Sequence, residues 1–103
     1  MYNLEYLPDA LQDMVALVRY ISRELGNPAA ADRLATELTD AGDSIPKFPY
    51  MNSSYTPIRP RKHVYRKLLV QIYFIFYCVD EEKKLITIAR VVYAKSDYDP
   101  LLE

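Results

Sequence analysis

Apolar residues recur at a three-four spacing in two segments of the first half of the chain, and form near-continuous runs in the second half. Leu11, Met14, Val15, Val18, Ile21, Ser22 and Leu25 fall on one face of a helix, the period expected when a single stripe meets a core. Pro8 suits the first turn of that helix, where a missing N–H costs nothing. Gly26 suits its end, where a left-handed residue closes the last turn. Asn27 then caps a second helix that Pro28 begins. Ala31, Leu34, Ala35, Leu38, Ala41 and Ile45 form its inward stripe, and the alanines let it lie close to its neighbour. Ahead of both, Tyr2 to Leu7 alternates weakly and reads as a short strand.

The helical period stops at Pro46. Pro46, Pro49, Pro57, Pro60 and the polar Asn52-Ser53-Ser54 exclude a helix or an interior strand, so residues 46–60 read as a long loop. Strands are predicted over 64–70, 73–80 and 85–93. Gln71-Ile72 is a weak turn signal between the first two, and Asp80-Glu81-Glu82-Lys83-Lys84 is a charged turn between the last two. Residues 99–103 either add a short final turn or hang free. The expected architecture is α+β in two layers, β-α-α-β-β-β, with a helical hairpin packed on one face of a small, mostly antiparallel sheet. Tyr73, Ile75 and Tyr77 alternate with Phe74, Phe76 and Cys78, so both faces of the middle strand are apolar. One face meets the helices; the other needs a cover or a partner.

A length of 103 residues implies one domain spanning 1–103, with a modest core. The longest apolar run, Leu68 to Val79, is broken by Gln71 and is far shorter than the ~20 residues of a membrane span. The first residues lack the basic-then-apolar pattern of a signal peptide. The single cysteine, Cys78, lies in an apolar strand and cannot staple the fold, which fits packing in a reduced, cytoplasmic setting. The net charge of −1 conceals an acidic first half and a basic second half, densest at Arg59, Arg61, Lys62, Arg66 and Lys67. Such a patch attracts an anionic partner even on a near-neutral molecule; a solvated loop explains it equally well. No HExxH, CxxC or acidic pair suggests a metal, and two glycines, Gly26 and Gly42, cannot build a phosphate loop.

Several segments in their order and spacing resemble the RelE/ParE superfamily of toxins from type II toxin–antitoxin modules. They are Tyr6-Leu7-Pro8-Asp9-Ala10-Leu11 at the first helix, Asn27-Pro28-Ala29-Ala30-Ala31 at the second, and Phe48-Pro49-Tyr50-Met51 after it. Tyr65-Arg66-Lys67-Leu68, Tyr73-Phe74-Ile75-Phe76-Tyr77, and Arg90-Val91-Val92-Tyr93 leading to Lys95-Ser96-Asp97-Tyr98 complete the series. The resemblance implies a compact toxin held by an antitoxin, without a cofactor and without a membrane. Its target is DNA gyrase on the ParE-like side, or mRNA on the ribosome on the RelE-like side.

Metal-free RNA cleavage needs a base for the 2′-hydroxyl, cations around the phosphorane and an acid for the leaving oxygen. RelE-like enzymes place one arginine where this chain has Phe74 and another where it has Ser96. These two departures tilt the reading toward ParE-like action. The remaining catalytic candidates are Arg66, Arg90 and Tyr93. Arg90 shares strand parity with Ile86, Ile88 and Val92, and a cation in an apolar row borders a groove or needs a buried partner. Pairing of Arg66 and Arg90 with carboxylates such as Asp80 or Asp97 is the structural alternative. Candidates for target binding are Arg59, Arg61, Lys62, His63, Lys67, Lys95 and Tyr98. A non-catalytic module of toxin fold that holds an antitoxin helix remains open on these residues, as does a nucleic-acid binder.

Overall fold

The computed structural model describes residues 1–56 and 63–102. Strand β1 (Asn3–Tyr6) leads into helix α1 (Pro8–Arg19), which widens into a π-helical turn (Tyr20–Glu24). Helix α2 (Pro28–Ser44) ends in a 3-10 turn (Ile45–Lys47). Strands β2 (Arg66–Val70), β3 (Tyr73–Asp80) and β4 (Leu85–Tyr93) follow, and a second 3-10 turn (Asp99–Leu101) closes the described chain. The sheet runs β1-β4-β3-β2, with β1 parallel to β4 and the other neighbours antiparallel. This is the expected α+β arrangement. β3 and β4 match the predicted bounds, whereas β2 starts at Arg66 rather than at residue 64.

The helical hairpin forms as its punctuation dictates. Gly26 adopts φ +61, and Asn27 Oδ1 accepts a hydrogen bond from the Ala30 N–H at 3.1 Å. Satisfying that otherwise orphaned donor stabilises a helix by ~1 kcal/mol. The Leu25 N–H reaches back five residues to the Tyr20 carbonyl at 3.2 Å, which widens the last turn of the first helix.

Two apolar clusters flank the sheet. Ala10, Leu34, Leu38, Ile45, Ile75, Tyr77, Ile86 and Ile88 fill the layer between sheet and helices. Tyr65, Phe76, Ala89, Val92 and Leu102 form a second cluster on the opposite face, joined by Tyr55, Phe74, Cys78 and Tyr98. The second face is thus covered by the chain itself: the final turn folds back and buries Leu102 to 1% exposure. Cys78 packs there half-buried, consistent with a packing role.

Two details differ from the pattern-based reading. Helix α1 and the π-helical turn after it direct Ala10, Met14, Leu17 and Ile21 toward the core; Met14 and Ile21 belong to the expected stripe, whereas its members Leu11 and Val15 are 50% and 54% exposed. The sequence pattern admits both stripes, and the packing of the small Ala10 against the sheet selects one. On β4 a bulge inserts Ala89, because Phe76 pairs with Arg90 while Tyr77 pairs with Ile88. The extra residue reverses the alternation. Val91 therefore joins Ile86 and Ile88 on the helix side, Val92 moves to the opposite face, and the expected common parity of Arg90 and Val92 with the isoleucines is lost.

Candidate functional site

The candidate residues separate onto different parts of the sheet. Arg66 opens β2 against the loop after α2. Its Nη1 donates to the Asn52 carbonyl at 2.7 Å, and its guanidinium lies 4.8 Å from the centre of the Tyr50 ring. Arg90 reaches α1 and the final turn: Nε and Nη2 donate to the two carboxylate oxygens of Asp13 at 2.8 and 2.9 Å, and Nη1 donates to the Leu101 carbonyl at 3.5 Å. Tyr93 packs beside Tyr73, with ring centres 6.3 Å apart, at the end of the helix-side layer. Lys95 lies exposed on the turn after β4. The three catalytic candidates therefore meet three different neighbours. Of the two arginines, Arg90 takes a carboxylate partner as the structural alternative anticipated, although the carboxylate is Asp13.

A different subset converges. Lys67 follows Arg66 and points to the other face, where its Nζ lies 4.7 Å from the centre of the Phe74 ring and 5.7 Å from that of Tyr55. Tyr98 packs edge-on to Phe74 and Tyr55, with centres 5.8 and 5.7 Å apart, and 5.1 Å from Phe76. Tyr55 in turn donates its hydroxyl to Asp99 Oδ1 at 2.7 Å, which ties the final turn to the loop ahead of β2. His63 stands edge-on to Tyr65 at 6.5 Å, and Tyr65 belongs to the same cluster. Lys67, Tyr98 and His63 thus share an aromatic face. Arg59, Arg61 and Lys62 lie outside the described residues.

A cation resting on ring faces and a row of tyrosines suits contact with a polar or anionic macromolecular surface. No group of three His, Cys, Asp or Glu side chains among the described residues could hold a metal ion. The Phe74 ring packs against those of Phe76 and Tyr98, with centres 5.9 and 5.8 Å apart.

Tyr50 and Tyr55 were not among the sequence candidates. Both lie in the proline-rich loop, and tyrosines flanking such a loop next to a basic strand were the available signal. Tyr50 and Tyr2 both donate to the Glu81 carboxylate, which also pairs with Lys84. These hydrogen bonds, that of Lys84 foremost, hold the Glu81 carboxyl down to about 2.

The described residues thus form a two-layer α+β domain, a helical hairpin on one face of a four-stranded sheet. The family model described as ParE toxin of type II toxin–antitoxin system, parDE, matches residues 4–98, and the chain belongs to that family. No curated protein sequence matches it. Among solved structures it is similar to a chain of the chromosomal ParDE system from P. aeruginosa, at a TM-score of 0.73 and 16% identity, covering 92% of this chain and 98% of that one. It is also similar to a chain of the RelBE2 toxin–antitoxin complex from Mycobacterium tuberculosis (TM-score 0.64, 16% identity, 89% and 96% covered). The intact E. coli RelBE complex contains a further similar chain, at a TM-score of 0.53, 17% identity and coverage of 93% and 100%.

Proposed function

We propose that this chain arrests growth by acting on DNA gyrase, and that a cognate antitoxin binds it and holds it silent in the cytoplasm. Membership of the ParE toxin family supports the toxin role. The solved relatives come from ParDE and RelBE toxin–antitoxin systems, which supports an antitoxin partner. The observation that carries the choice of gyrase over mRNA is the closed sheet face. Tyr98 and Leu102 lie on Phe74 and Phe76, where a ribonuclease would need room for a phosphate and groups to move its protons. Arg90, which pairs with Phe76 across the β3–β4 ladder, has its guanidinium on Asp13. Lys67, Tyr98 and His63 then serve as target contacts rather than as acids or bases.

Induction of the chain in a bacterial host, with purified gyrase assayed in parallel, tests this reading. Growth is expected to stop with a DNA-damage response and intact mRNA, and the purified chain is expected to inhibit supercoiling. Discrete mRNA cleavage with unaffected gyrase would replace this reading with the ribonuclease one. Undisturbed growth with abundant soluble chain would remove the toxin role.

A further inference from the structure

The turn after α2 holds two large apolar side chains in solvent. Phe48 is 65% exposed and Met51 74%, and neither belongs to a core cluster. Their backbone is nevertheless fixed. The Phe48 N–H donates to the Ile45 carbonyl and the Met51 N–H to the Phe48 carbonyl, both at 3.1 Å. Tyr77 is fully buried, so its hydroxyl needs partners within the protein. It donates to the Pro49 carbonyl at 2.8 Å and accepts from Asn52 Nδ2 at 3.3 Å. Arg66 adds its bond to the Asn52 carbonyl and its contact with the Tyr50 ring, and the Tyr50 hydroxyl donates to Glu81. The sheet thus presents Phe48 and Met51 on a rigid base.

We infer that Phe48 and Met51 are the apolar anchors of the target contact, and that they insert together into an apolar pocket on gyrase. This inference rests on the proposed function and names side chains through which it operates. Single exposed apolar residues are ordinary, but two large ones three residues apart on one turn form a patch. Their rigid base lowers the cost of binding. An anchor already fixed loses little conformational freedom when buried, so more of its apolar area goes into affinity. The patch also continues into the face that holds Lys67. The same loop runs on to Tyr55, whose ring centre lies 5.7 Å from the Lys67 ammonium. Met51 and Tyr55 are four residues apart in sequence, hence at most ~14 Å apart. One interface of ordinary size, ~800 Å² on each partner, covers both. Charge sets the rim of the pocket. Lys47 stands exposed beside Phe48, and no aspartate or glutamate occurs between Asp43 and Asp80 in the sequence. A pocket edged by carboxylates therefore fits, whereas one edged by cations repels.

Three full-length proteins are compared for inhibition of supercoiling by one preparation of purified gyrase: the original chain, Phe48→Ser/Met51→Ser and Phe48→Leu/Met51→Leu. Both positions are exposed, so the melting temperatures should match. The serine variant is expected to lose inhibition by about thirtyfold or more. The leucine variant should recover at least about tenfold of that loss, because apolar bulk fills the pocket rather than one functional group. In a second measurement a photoreactive p-benzoylphenylalanine takes the place of Phe48. Irradiation with gyrase should give a cross-link that excess original chain competes away, and mass spectrometry should map it to an apolar pocket. Equal inhibition by the original and serine proteins overturns the inference and leaves the gyrase reading standing. Cross-links scattered over polar surfaces of gyrase do the same. An original chain that does not inhibit gyrase overturns the reading itself, and the inference falls with it.

Discussion

Asp13 holds both Arg90 and the backbone beside it: its carboxylate accepts from Arg90 Nε and Nη2 at 2.8 and 2.9 Å, and from the Val91 N–H at 3.0 Å. β1 pairs with β4 only as far as Tyr6 and Ile88, with one further bond from the Leu7 N–H to the Ile88 carbonyl. Beyond that point β4 has no strand neighbour on this side among the described residues. One α1 side chain therefore supplies the acceptor that a longer β1 would have supplied, and it fixes the helix to the sheet at the bulge.

Removing one partner leaves a largely buried charge behind, since the two side chains are 22% and 17% exposed. Asp13→Leu is expected to destabilise the chain by about 2–4 kcal/mol, from an unpaired guanidinium and an unsatisfied Val91 N–H. Adding Arg90→Met should recover at least half of that loss, because the desolvation cost disappears with the charge. Urea denaturation of both single variants and the double variant measures the cycle. An additive double variant would mean that the pair contributes nothing jointly.

Gly42 presents a second close approach. A Cβ at this helical position would overlap the Tyr6 hydroxyl oxygen and lie 3.1 Å from Ile88 Cδ1. Glycine in a helix costs ~1 kcal/mol relative to alanine, so an unobstructed Gly42→Ala would stabilise. Here it is expected to destabilise by about 1–3 kcal/mol through overpacking. Tyr6→Phe removes the obstructing oxygen along with its 3.1 Å bond to Asp43. Gly42→Ala/Tyr6→Phe should therefore be more stable than Gly42→Ala alone. Thermal melting of the four proteins in this cycle is the check.

The placements most legible in the sequence were those fixed by local chemistry. Asn27-Pro28 at a helix start, Gly26 at a helix end, and the β3 and β4 runs require only backbone preferences and nearby side chains. Residues whose roles depend on a third element were not legible. Arg90 in an isoleucine row announces a partner but not Asp13, which lies 77 residues away. The bulge at Ala89 leaves no glycine or proline to mark it, and it alone decides the orientation of Val91 and Val92. Leu11 and Ala10 both fit a helical stripe. Rotation of α1 by one residue exchanges them, and only the packed sheet chooses. The same ambiguity explains why the split of Arg66 and Lys67 onto opposite faces, obvious from strand alternation, did not by itself show which face gathers Tyr98 and His63.

The cluster around Glu81 sets an acid limit. Hydrogen bonds from Lys84, Tyr50 and Tyr2 lower its folded pKa to about 2 from a usual value of 4.5. A depressed carboxylate adds stability that is fully present above the unfolded pKa and is lost as pH falls through the folded one. Between about pH 4.5 and 2 the chain should therefore lose melting temperature more steeply than Glu81→Gln, which cannot titrate there. At pH 7 the variant should melt lower, because the tie between β1, the loop at Tyr50 and the β3–β4 turn is weakened. Parallel melting profiles of the two proteins across this window would show that the cluster adds no net stability.

Lys67 separates recognition from scaffolding. Its ammonium rests on Phe74 and Tyr55, a contact worth ~0.5–1 kcal/mol at a partly exposed site, so Lys67→Glu should fold. If the aromatic face touches gyrase, reversing this charge should weaken inhibition of supercoiling about tenfold or more, which corresponds to ~1.4 kcal/mol of binding. The Asp13→Leu/Arg90→Met protein, altered where β4 meets α1, should inhibit within about threefold of the original chain, a difference under ~1 kcal/mol. Dose–response curves for these proteins against one gyrase preparation decide the matter. Full inhibition by Lys67→Glu would move the target contact off this face. Loss of inhibition in the folded Asp13→Leu/Arg90→Met protein would return Arg90 to the working site.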